Sequence, residues 1–108
     1  MKMCKNDGKE HIPVSKPENV SLEEALREID KFPTFEEEMF IGFINERDER
    51  LQFIRLERDK WLIDAPVFED EEYAYSLQDE IKHSQVKEIV TRFFQSKDWK
   101  SLCNLRKL

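Results

Sequence analysis

Glycine is almost absent from this chain: Gly8 and Gly42 are the only two among 108 residues. A phosphate-cradling loop or a dinucleotide fingerprint needs several glycines in close spacing, so neither can be built here. Histidine and cysteine are equally scarce. His11 and His83 lie far apart, Cys4 and Cys103 sit near opposite ends, and no pair has the spacing of metal ligands. No cofactor and no metal are implied, and the two thiols are expected to be free rather than bridged. No stretch approaches the roughly 20 apolar residues of a membrane span, and the first residues lack the apolar centre of a secretory signal. No membrane partner is expected, and a cytoplasmic location is.

Positive charge is also in short supply. Eighteen Lys and Arg face 24 Asp and Glu, a net charge of -6. Nucleic-acid and anionic-membrane binding both draw on basic excess, so this balance points instead to a cationic partner. What the chain does have is bulk: eight Phe, two Trp and two Tyr. At this length they can fill one thin two-layer core.

Residues 1–19 show no apolar period and read as a flexible N-terminal arm, leaving 20–108 as a single domain. From Val20 to Phe32 the pattern becomes helical, with Leu22, Ala25, Leu26 and Ile29 on one stripe. Ser21 and Glu24 have the spacing of a capping box, and Pro33 forces an end. Thr34 and Glu37 would form a second box leading Phe35, Met39 and Phe43 into a helix. The continuous apolar run Met39–Ile44, with Gly42 inside it, fits a strand over residues 39–46 better, preceded by a short helical turn at most.

Three further strands follow. Leu51, Phe53, Ile54 and Leu56 mark one, apolar on both faces. Trp61, Ile63, Ala65 and Val67 alternate in the next, with Pro66 at its end or on an unpaired side. After the acidic run Glu69–Glu72, Tyr73, Tyr75 and Leu77 alternate in the last. Val86, Ile89, Val90, Phe93 and Phe94 then restore the helical period behind a Ser84 cap. Trp99, Leu102 and Cys103 suggest a short terminal helix. The predicted architecture is α+β: a four-stranded antiparallel meander flanked in sequence by two helices (α-β-β-β-β-α), both on one face. More apolar groups are present than one face can use. The surplus belongs either to a curved sheet whose edges the N-terminal arm covers or to an interface with a partner or a second copy.

Candidate chemistry is confined to carboxylates. Glu69, Asp70, Glu71 and Glu72 lack the alternate spacing and glycine of a calcium loop. They are a solvated turn or a patch that steers a basic protein, with Tyr73 and Tyr75 as adjoining anchors. An enzyme or small-ligand site would have to gather scattered groups such as Asp64, Tyr75 and His83 without any local signature, so no catalytic residue is assigned.

The strings LERDKWLIDAPV (56–67) and QVKEIVTRFFQSKDW (85–99), with the periodicity of residues 20–100, resemble the small cytosolic immunity proteins of bacterial polymorphic toxin systems. That resemblance implies an α+β domain that neutralises a cognate toxin by binding it, without catalysis. It carries no site residue across. The functional expectation is therefore a non-catalytic protein-binding domain, with a self-associating structural domain or subunit of a larger complex as the alternative.

Overall fold

The computed structural model describes residues 1–34, 36 and 38–107. An antiparallel sheet of eight strands carries two α-helices, so the class is α+β. Its centre is the meander β4 (Phe40–Ile44), β5 (Arg50–Glu57), β6 (Lys60–Glu69) and β7 (Glu72–Ile81). These are the four strands expected from the sequence, and the sheet extends beyond them on both sides.

On one side, β1 (Lys2–Asn6) pairs along the whole of β4, and its other edge takes β2 (His11–Ile12) and β3 (Glu18–Asn19). The first 19 residues are thus built into the sheet, with Met3, Cys4 and Lys5 buried, where the sequence suggested an arm. The reason lies in Lys5. Its charge breaks the apolar alternation of β1, yet its ammonium is held at 2.8 Å by Glu28 and 3.1 Å by Asp7, which makes its burial tolerable. On the other side, β8 (Arg106–Lys107) pairs with Leu77 and Gln78 of β7. Strands of two residues have no period, and only tertiary pairing specifies them.

Helix α1 (Leu22–Lys31) starts in the expected capping box: the Glu24 amide donates to Ser21 Oγ at 3.1 Å, and the Ser21 amide to Glu24 Oε1 at 3.3 Å. Its end is tied to the sheet by Arg55, whose guanidinium donates to the Phe32 carbonyl at 2.7 Å and lies 5.2 Å from the centre of the Trp61 ring. Helix α2 (His83–Phe94) begins one residue before Ser84, the expected cap. The Lys82 amide donates to Gln85 Oε1 and the His83 amide to Asp59 Oδ1, so the free amides of the first turn find partners outside Ser84. A short 3₁₀ helix, Lys100–Leu102, follows with Trp99 buried against Phe93. The second capping box, Thr34 to Glu37, falls partly outside the described residues.

Both helices cover one face of the sheet. In-register residues Lys5, Ile41, Phe53 and Ile63 point to them, and Ala25, Ile29, Val86, Ile89, Val90 and Phe93 complete the core. Gly42 faces the other way, where a Cβ would stand 2.9 Å from Cys4 Sγ; the glycine is needed for close approach of β1. Beside it the opposite face carries half-buried Phe40, Ile54 and Leu62, and among the described residues no helix lies over them. Pro66 pairs with Ser76 beyond the last β5–β6 pair, Gln52 with Asp64, so toward β5 its missing N–H leaves no ladder bond unmade.

Candidate functional site: the acidic β6–β7 hairpin tip

Strands β6 and β7 are ten residues each and outrun the rest of the sheet. They are joined by Asp70 and Glu71, which turn with φ of 50° and 66° between the paired residues Glu69 and Glu72. Positive φ at both central residues is the signature of a type I′ hairpin turn, whose twist matches that of the strands. Glycine or asparagine normally supplies it. Here two acidic residues do, so the turn concentrates charge at a position chosen for geometry.

Glu69, Asp70, Glu71 and Glu72 are all exposed, and among the described residues no cation forms an ion pair with any of them. Immediately behind them Phe68 and Tyr73 are 50% and 61% exposed and meet edge to face, with ring centres 6.2 Å apart. With the smaller Val14 they are the large hydrophobic residues left exposed among the described residues. A side chain of this size left in water is the unusual observation; a lone exposed aliphatic is ordinary.

The two tyrosines do not share a face, which corrects the reading of Tyr73, Tyr75 and Leu77 as one alternating row. Val67 pairs with Tyr75 and Phe68 with Tyr73, so Ala74 is an unpaired bulge residue. Tyr75 follows Leu77 on the helix side, half-buried, with the Lys107 ammonium 4.3 Å from its ring centre. Tyr73 turns to the opposite side, where its hydroxyl meets Ser76 Oγ at 2.8 Å. Phe68, which the sequence reading passed over, takes the place beside Tyr73 that Tyr75 was expected to hold. The signal was the unbroken pair Val67-Phe68 at the end of a strand that otherwise alternates.

The scattered groups considered for a small-ligand site do not meet. Asp64 accepts from Gln78 Nε2 at 2.9 Å on the face away from the helices. His83 lies on the helix side at the far end of β7 from Tyr75, about 20 Å along the strand. Its ring is already engaged: Nδ1 accepts from Trp61 Nε1 at 3.1 Å, and Nε2 lies 2.9 Å from Asp30 Oδ1. An indole N–H can only donate, so Nδ1 is bare, Nε2 carries the proton, and the ring donates to Asp30. The hydrogen bonds from His83 and Lys87 hold the Asp30 carboxyl below its ordinary range.

A second charged cluster surrounds Lys5. Burial favours its neutral amine, but hydrogen bonds to Glu28 and Asp7 outweigh that and push its pKa up. Burial likewise opposes the Glu28 and Asp7 carboxylates, yet Lys5, with Lys31 at Glu28 and the Glu10 and Lys9 amides at Asp7, pulls both down, Asp7 to about 2. A third carboxylate, Glu10, lies 3.5 Å from the Lys5 ammonium, and the cluster ties β1 to α1.

Among the described residues no group of three His, Cys, Asp or Glu is arranged to hold a metal ion. Cys4 and Cys103 are free thiols. No helix among the described residues is long and apolar enough to cross a membrane. Comparison with protein-family models, with curated proteins and with solved structures finds no match to the chain.

Proposed function

We propose that the protein is a non-catalytic binding domain that takes a basic protein partner at the β6–β7 hairpin tip, most concretely an immunity-type inhibitor of a cognate toxin in the cytoplasm. One observation carries this reading: four exposed carboxylates without a described ion pair stand next to the exposed pair Phe68 and Tyr73. Unneutralised charge steers encounter, and a neighbouring aromatic supplies the contact that slows departure. The other charged clusters, around Lys5 and around Asp30, are closed on themselves by ion pairs.

The test is co-expression with the product of the adjacent reading frame. If that product arrests growth, the parent chain relieves the arrest and forms a complex with it. A variant combining Glu69→Gln, Asp70→Asn, Glu71→Gln, Glu72→Gln and Tyr73→Ala, still folded, does neither. Equal protection by that variant removes the tip from the reading.

Self-association is the second reading, and the uncovered sheet face bearing Phe40, Ile54 and Leu62 favours it. Sedimentation of the chain across a range of concentrations separates the two. A dimer broken by Leu62→Lys belongs to that face, and a monomer at all concentrations returns the weight to the tip.

A further inference from the structure

Among the described residues, strand β7 is paired on one side only over most of its length. Toward β6 all of its residues except Ala74 are in register, whereas toward β8 only Leu77 and Gln78 have partners. Among the described residues, the outer edge from Glu72 to Ser76 therefore presents backbone N–H and C=O groups to no other strand. Such an edge is a template for another extended chain. It is also the edge nearest the acidic turn.

What the edge accepts is visible a few residues along it. Strand β8 is Arg106–Lys107, two basic residues antiparallel to β7, and Lys107 places its ammonium 4.3 Å from the centre of the Tyr75 ring. That is a cation–π contact made by a strand already added to this edge. The bulge at Ala74 puts Tyr75 on the helix side and Tyr73 on the other. A strand laid against Glu72–Ser76 presents alternate side chains to the two faces, so each set meets one tyrosine. Glu69, Asp70, Glu71 and Glu72 add unneutralised negative charge at the same end.

We propose that the free edge of β7 over Glu72–Ser76 takes an extended basic segment of the partner as an added strand, in line with β8. The proposal rests on the binding reading above and specifies its form. A second copy of the chain is a poorer occupant, because it brings its own four carboxylates and a net charge of -6 to the same edge.

The experiment uses the full chain and an octapeptide of alternating Lys and Val, with a fully N-methylated counterpart that keeps the charge but cannot form a ladder. The plain peptide is expected to bind saturably, the methylated one about tenfold more weakly or worse, since each lost ladder bond counts. Amide exchange is expected to slow at Tyr73–Ser76 with the plain peptide alone. Equal binding of both peptides overturns strand addition and leaves charge steering at the tip intact. Binding of neither overturns this proposal, while the co-expression result judges the broader reading separately. Dimerisation of the free chain that itself protects the Tyr73–Ser76 amides also overturns it, by giving the edge to a second copy.

Discussion

The indole N–H of Trp61 donates to Nδ1 of His83 at 3.1 Å, and the tryptophan is fully buried. This one bond joins the sheet to the start of α2, and through Nε2 and Asp30 it reaches α1 as well. Among the described residues, the indole N–H makes no other hydrogen bond. His83→Ala is expected to destabilise the fold by about 1–3 kcal/mol, the cost of an orphaned buried donor. Trp61→Phe combined with His83→Ala is expected to cost less than the sum of the two single changes. Additive denaturation midpoints would mean that the bond contributes nothing.

Lys5 makes a sharper case, because it is buried among carboxylates. Lys5→Ala leaves Glu28 without its closest cation and is expected to cost about 3–5 kcal/mol. Lys5→Met with Glu28→Leu removes the pair as a unit and is expected to recover most of that loss. Urea titration checks both, and a double variant no better than the single one would contradict the pairing.

The pH dependence follows from Asp7, whose pKa falls from an ordinary 3.8 to about 2. A carboxylate depressed in the folded state contributes stability that is complete above its unfolded value and is lost as pH falls through the folded one. The parent is therefore expected to lose stability between about pH 4 and pH 2, and Asp7→Asn to show a shallower slope across that window. Thermal melts at fixed ionic strength read the difference. Identical slopes would contradict the hydrogen bonds that the Glu10 and Lys9 amides and the Lys5 ammonium make to Asp7.

Much of the fold can be read from residue order, and the exceptions have particular causes. The meander from Phe40 to Ile81 shows because Trp61, Ile63 and Ala65 alternate and Gly42 marks a close approach. Strand β1 hides because Lys5 is buried by its ion partners, a fact that only the fold brings about. The true start of α2 hides because Asp59, 24 residues away, caps its first amide. At the candidate site, the acidic run and Tyr73 were visible, whereas the bulge at Ala74 was not. Tyr73, Tyr75 and Leu77 keep an apparent period of two while the ladder skips a residue between the tyrosines.

The scarcity of glycine has a cost that can be measured at the tip. Glu71 sits at φ 66°, and an L side chain there is strained by about 1–2 kcal/mol. Glu71→Gly creates the Asp-Gly pair that type I′ turns prefer and is expected to raise stability by about 1 kcal/mol. A lower melting midpoint would contradict the turn assignment.

The central claim is that the tip steers a basic partner and Tyr73 retains it. Its most direct test is the kinetics of complex formation with the adjacent gene's product, measured at low and at physiological ionic strength. Neutralising Glu69, Asp70, Glu71 and Glu72 is expected to slow association about tenfold at low salt, much less at physiological salt, and to leave dissociation nearly unchanged. Tyr73→Ala is expected to do the reverse, speeding dissociation with little effect on association. Association and dissociation rates equal to the parent's in both variants would contradict the claim.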